Sequence, residues 1–153
     1  MSIKEKVIAL GFFDGVHLGH AALLRRTVEE AKARGATPAV FTFDRPPKEV
    51  ITGKPCPLIN SPEDRRDLVR RLFGIREVIM VPFDHEMMTT PWDDFVTNIL
   101  VRRYHAVHLV AGHDHHFGHK NEGSPERLQE KCKELGLGCD IIPKVEICGT
   151  IVS

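Results

Sequence analysis

The chain has 153 residues, of which 42% are hydrophobic and 27% charged, and its 21 Lys plus Arg balance 21 Asp plus Glu. That length suits one domain with a real core, and a formal charge of zero gives no electrostatic footprint for nucleic acid or a membrane surface. No apolar run reaches the roughly 18 residues that a bilayer span needs, and Met1–Lys6 lacks the apolar stretch of a secretion signal, so a cytoplasmic protein is expected.

In chain order, short apolar runs predict strands at Val7–Gly11, Thr37–Phe43, Glu77–Val81, His105–Ala111 and Cys139–Pro143. Helical patterns fall between them at Leu18–Arg34, Pro62–Phe73, Pro91–Arg103 and Pro125–Leu135. Ser61-Pro62-Glu63-Asp64, Thr90-Pro91-Trp92-Asp93 and Ser124-Pro125-Glu126 each offer an N-cap, a Pro at the first helical position and early acids. Gly35, Gly74 and Gly136 stand where C-terminal caps belong. In the first helix Leu24, Val28 and Ala31 share one face, which should meet the sheet. Near-continuous apolar strands such as Val107–Ala111 suit a parallel sheet covered on both sides. The expected fold class is therefore α/β, a doubly wound, mainly parallel sheet of about five strands. Trp92 and Met87-Met88 read as packing residues. The four cysteines, Cys56, Cys132, Cys139 and Cys148, contain no Cys-x-x-Cys and read as reduced, partly buried thiols.

The decapeptide Gly11-Phe12-Phe13-Asp14-Gly15-Val16-His17-Leu18-Gly19-His20 joins the first strand to the first helix. Amides at a helix N-terminus are unpaired and attract anions, and Gly19 lets a phosphate approach the backbone. His17 and His20 add side-chain donors, which suits charge developing on a phosphate in a transition state. Asp14 either holds the turn or helps position metal or phosphate. Two further segments leave strands at the same end of such a sheet: Thr42-Phe43-Asp44-Arg45-Pro46-Pro47, which opens the irregular stretch Asp44–Asn60, and Ala111-Gly112-His113-Asp114-His115-His116-Phe117-Gly118. The second of these, with His119, is dense in imidazole and carboxylate, so adventitious metal binding or a metal-dependent hydrolase is a rival reading.

The Gly-x-Phe-Asp-x-x-His-x-Gly-His frame resembles nucleotidyltransferases with a Rossmann-like fold, and the fuller decapeptide resembles the FMN adenylyltransferase (FAD synthetase) module of the bacterial riboflavin kinase/FAD synthetase family. The resemblance implies transfer of AMP from ATP to FMN, giving FAD and pyrophosphate, with Mg²⁺ on the triphosphate and His17 and His20 as catalytic donors. It implies nucleotide contacts from Gly11, Phe12, Phe13, Asp14, Gly19, Gly112, Asp114 and Ser153. Flavin contacts are implied for Phe43, Asp44, Arg45, Pro46, Pro47 and Phe117. Arg45 and Pro46 depart from the family's Thr-Phe-Asp-Pro-His-Pro, and His115 replaces a usual aromatic. Thr150–Ser153 resembles the start of a hydroxyl- and arginine-bearing phosphate motif. The expected organisation is one nucleotidyltransferase domain over 1–153, without the rest of that motif or the riboflavin kinase domain of bifunctional members. The alternatives are a related nucleotidyltransferase for another phosphorylated metabolite, or a non-catalytic flavin-nucleotide binding module.

Overall fold

The computed structural model describes residues 5–11, 18–44, 62–113, 115, 117–118, 122–142, 145–147 and 150–152. Five strands form one all-parallel sheet: β1 (Lys6–Leu10), β2 (Thr37–Phe43), β3 (Glu77–Val81), β4 (Ala106–Gly112) and β5 (Gly138–Ile142). Their spatial order is β3-β2-β1-β4-β5. The chain lays down β1 to β3 in one direction, then returns to place β4 on the other side of β1. The order therefore reverses between β1 and β4, the place where sheets of this kind open a crevice at their carboxyl ends.

Alternation along the strands separates two cores. Val7, Ala9, Val40 and Val110 face α1 (Leu18–Arg34) and α2 (Pro62–Phe73), where Leu23, Leu24, Ala31 and Val69 cover them. Val28 packs against the same cluster, so the face expected of the first helix is the one that meets the sheet. On the other side Ile8, Leu10, Phe41, Leu109 and Ala111 meet Phe95, Val96 and Leu100, together with Leu128 and Cys132 of α5 (Pro125–Leu135).

Helix ends follow the sequence signals closely. Gly35, Gly74 and Gly136 all adopt the left-handed conformation, with φ of 65°, 71° and 75°. The Ser124 hydroxyl accepts from Arg127 N at 3.2 Å, and Pro125 follows it in the first turn. Thr90 behaves differently. Pro91 itself takes the N-cap position, and the Thr90 hydroxyl instead donates to the Glu86 carbonyl at 2.7 Å. That bond closes α3 (His85–Met88), a short helix capped by Asp84, whose single turn is too brief to show a hydrophobic period.

The helix expected over Pro91–Arg103 is two elements. A short α4 (Trp92–Asp94) runs into a π-helix, Phe95–Arg103, which closes with Tyr104 N donating five residues back to Ile99 O at 3.2 Å. The wider turn brings Phe95 and Leu100, five apart and both buried, onto one face. His105 is not part of β4. Its φ of 60° is left-handed, its N–H closes the π-helix on Val101 O, and its carbonyl accepts from Lys6 N. Likewise β1 ends at Leu10, and Gly11 forms a bend. β5 ends at Ile142, with Pro143 outside the described residues. A small hairpin, β6 (Val145–Ile147) with β7 (Thr150–Val152), was not legible as strands. Trp92 and Met87 pack half-buried against the core, and Cys132 and Cys139 are free thiols; Cys56 and Cys148 lie outside the described residues.

Candidate active site at the carboxyl ends of the strands

Leu18 begins α1 only eight residues after Leu10 ends β1, so the helix N-terminus stands beside the carboxyl end of the central strand. Its first-turn amides have no helical acceptor. One electrostatic feature sets α1 apart from the other α-helices described, and it is shared only by the π-helix that continues from α4. α2, α3, α4 and α5 each carry Asp or Glu in the first turn, and α1 carries none. An acid there neutralises the positive end of the helix dipole; without one, α1 keeps that end available for an anion. Gly19 and His20 lie in this turn, and His17 immediately precedes it in the chain. Phe12, Phe13, Asp14 and His17 themselves are outside the described residues, and nothing is described of the His20 side chain. Gly11 is described: its N–H reaches Phe41 O at 3.4 Å and extends the β1–β2 ladder by one weak bond.

At the end of β2, Phe43 is half-buried, edge-on to Phe41 (5.7 Å between centroids) and to Phe83 (4.9 Å). Asp44 N donates to Val81 O, and the Asp44 carboxylate accepts from Phe83 N at 3.1 Å. This carboxylate thus ties the exits of β2 and β3 together. Arg45, Pro46 and Pro47 are outside the described residues.

At the end of β4, Gly112 O accepts from His115 N, turning the chain back over the sheet. Phe117 and Gly123 exchange both backbone hydrogen bonds, at 3.2 and 2.8 Å, and so close the loop between β4 and α5. Gly118 (φ 79°) crosses the Trp92 backbone so closely that a Cβ would lie 2.6 Å from Trp92 Cα. Phe117 is only 7% exposed, enclosed by Trp92, Phe95 and His115. It therefore forms the floor of this region, and the ring above it is His115, half-buried and stacked on Phe117 at 5.6 Å with an 18° interplanar angle. From the sequence His115 was read as the replacement for a usual aromatic and as one of a histidine-rich segment, with no flavin or nucleotide contact assigned to it; its ring nonetheless takes an aromatic's place against Phe117. Through Phe95 and Phe41, which lie 5.4 Å apart, the aromatic floor runs from Phe117 to Phe43, joining the exits of β4 and β2. Asp114 and Ser153 are outside the described residues.

A group able to hold a metal lies away from the histidine-rich segment, whose Asp114, His116 and His119 are outside the described residues. Among the described residues, the ligand atoms of Glu30, His108 and Asp140 lie within 4.8 Å of one another and could together hold a metal ion. His113 and His115 belong to no such group among the described residues; His116 and His119 lie outside them. His108 sits four residues before the end of β4, about 13 Å from the carboxyl ends. Arg26 already places a cation there, donating to Asp140 Oδ2 at 3.0 Å and to Glu30 Oε1 at 2.8 Å. Burial pushes the Asp140 carboxyl up, but hydrogen bonds from Arg26 and His108 and their charges outweigh it and hold the group below its ordinary range. An imidazole in the set and a guanidinium on both carboxylates do not fit Mg²⁺, which prefers oxygen ligands and substrate phosphates.

A parallel sheet in this order, with an uncompensated helix N-terminus directly after its central strand, defines a Rossmann-like nucleotidyltransferase fold. The chain belongs to the FAD synthetase family, whose model matches residues 1–153. It is 38% identical over 121 residues to the bifunctional riboflavin kinase/FMN adenylyltransferase of Listeria monocytogenes, a match covering 78% of this chain and 38% of that protein. To the protein of the same name from Pseudomonas fluorescens it is 32% identical, covering 96% of this chain and 47% of the relative. The chain thus spans less than half the length of these relatives. Among solved structures, a Streptococcus pneumoniae protein named for macrolide efflux superposes over the whole of this chain and 49% of its own, with a TM-score of 0.83 and 25% identity. A Thermoplasma volcanium protein named for lipopolysaccharide core biosynthesis shares the fold alone, with a TM-score of 0.53 and 22% identity, covering 94% of this chain and 98% of its own. Among the described residues no helix is long and apolar enough to cross a membrane.

Proposed function

We propose that this domain is an FMN adenylyltransferase, joining the AMP portion of ATP to FMN and releasing pyrophosphate. The observation that carries the reading is the N-terminus of α1, free of acids in its first turn and set against the end of β1 at the point where strand order reverses. An FMN phosphate oxygen attacks the α-phosphorus of ATP in line. The new P–O bond forms as the bond from the α-phosphorus to the bridging oxygen breaks, and that oxygen leaves with pyrophosphate. The substrate supplies its own nucleophile, so the protein contributes positioning and charge stabilisation. His17 and His20 donate to the α-phosphate oxygens and the leaving group, while the first-turn amides of α1, including that of Gly19, add their dipoles. Gly11, Phe12, Phe13, Asp14, Gly112, Asp114 and Ser153 bound the nucleotide. Phe43, Asp44, Arg45, Pro46 and Pro47 bound the flavin over the aromatic floor that includes Phe117. Mg²⁺ arrives as part of the nucleotide substrate and neutralises triphosphate charge. A riboflavin kinase, named with this activity in the relatives, is the class of enzyme that supplies FMN. The cytoplasm, where ATP is abundant, is the proposed location.

The test is substitution at the motif. His17→Ala is expected to lower the turnover of FAD formation by about a hundredfold or more, the scale of losing one preorganised donor to a developing charge. Saturable FMN or FAD binding with no pyrophosphate release from any variant or from wild type would instead identify a flavin-nucleotide binding module.

A further inference from the structure

The helix that presents the phosphate-binding end lies over a smooth surface. Beneath α1 the sheet offers Val7, Ala9, Val40 and Val110, and α1 answers with Leu23, Leu24, Val28 and Ala31. Small aliphatic contacts set the distance between layers well, but they resist sliding along the helix axis poorly, because dispersion is non-directional. Among the described residues, directional contacts from α1 to the sheet are supplied at one place. His108 of β4, 4% exposed, aims Nε2 at Asp140 Oδ2 of β5 at 2.8 Å, and Arg26 of α1 donates its Nε to the same oxygen at 3.0 Å. Arg26 continues to Glu30 at 2.8 Å and stands 3.9 Å from Glu29, while Arg34 Nε donates to Glu30 at 3.3 Å. The Cys139 thiol, next to Asp140 in β5, also feels the charge of that carboxylate. His108 Nδ1 has no partner among the described residues, and it lies against Gly138, its register neighbour, where a Cβ would collide with the ring.

We infer that Arg26, held by the Asp140–His108 pair, is a positioning residue that fixes α1 along its own axis and so sets where its N-terminal amides stand relative to the ends of β1 and β4. Arg26 is eight residues into the helix, about 12 Å from its first turn, and a rigid helix carries a shift at Arg26 to that turn undiminished. The inference rests on the adenylyltransferase reading for its kinetic consequence, since a misplacement of about 1 Å can cost a hundredfold in rate. His108 is buried and Asp140 half-buried, while the Arg26 side chain is 44% exposed, so the network contributes little net stability, and the role assigned to it here is positional.

The experiment compares wild type with Arg26→Gln, Arg26→Lys and Asp140→Asn in two arms. In the first, amide hydrogen exchange is followed by mass spectrometry. Exchange is expected to quicken in α1 in Arg26→Gln and Asp140→Asn while β1 and β4 stay protected; equal protection of α1 in all four proteins overturns the inference. In the second, FAD formation is expected to lose about tenfold in kcat with the KM for FMN within twofold, with partial recovery in Arg26→Lys. Combining Arg26→Gln with His17→Ala should cost no more than His17→Ala alone, because both act through the same helix end; full additivity contradicts the assignment. A wild-type chain that makes no FAD, with α1 exchange still responding to Asp140→Asn, overturns the adenylyltransferase reading and leaves the anchoring in place. A rise in melting temperature on adding Zn²⁺ to wild type, lost in His108→Gln, would give the cluster to a metal and overturn the inference.

Discussion

The two faces of the sheet are built on opposite principles. Behind β1, β2 and β4 lies a row of large rings, with Phe41 edge-on to Phe43, Phe95 and Tyr104, and Phe95 continuing to Phe117 and Trp92. Edge-to-face rings interlock, so this face is fixed by shape alone. Over the other face α1 rests on valine and alanine, and among the described residues its one set of directional contacts to the sheet is the charged network on Arg26 and Asp140. The face that floors the proposed flavin region is rigid by volume, whereas the helix that carries the phosphate-binding end is placed by hydrogen bonds. The difference teaches that a fold can hold a substrate pocket and a reacting-group platform by separable means, and that substitutions should separate them.

The largest stability effect should come from the ring face. Phe41→Ala removes a fully enclosed ring that touches three others and is expected to cost about 3–5 kcal/mol in chemical denaturation. A cost below 1 kcal/mol would break the comparison at its base. Gly138→Ala tests the other face, since its Cβ would press on His108; a loss of about 1–3 kcal/mol is expected, accompanied by a larger fractional loss of turnover than a ring-face variant of equal stability shows. Asp140→Asn sharpens the electrostatic side. The folded Asp140 carboxyl is held below its unfolded value, so its contribution is complete above about pH 4 and fades as pH falls through the folded value. The gap in melting temperature between wild type and Asp140→Asn should therefore close as the buffer is taken below about pH 4. A gap that instead widened in acid would reverse the sign of the account. The smallest effect is expected at Leu72, the one large apolar side chain exposed among the described residues, at 61%. Leu72→Ser should change stability by no more than about 0.5 kcal/mol.

Much of this architecture is legible in the sequence, for identifiable reasons. The helices Leu18–Arg34, Pro62–Phe73 and Pro125–Leu135 carry proline starts, acidic first turns or glycine stops, and those local signals survive folding unchanged. The central strands are short and nearly continuous in apolar residues, as suits parallel strands covered on both faces. What escaped is what tertiary contact decides. The π-helix follows from burying Phe95, Val96 and Leu100 together, which an α-helical period does not anticipate. His105 reads as the start of a strand until its positive φ is seen to close a helix. His108 looks like one more residue of an apolar strand, and only the pairing of β4 with β5 brings Asp140 to it. Of the site, the motif after β1 was readable because backbone geometry and residue type coincide there. The layering of His115 on Phe117 was not, because it depends on how Gly118 crosses Trp92.

The most direct measurement of the central claim follows FAD and pyrophosphate together as this chain is incubated with FMN, ATP and Mg²⁺. The account predicts the two products in equal amounts, each exceeding the enzyme many-fold. Pyrophosphate or ADP appearing without FAD, or FMN bound and recovered unchanged, would contradict it.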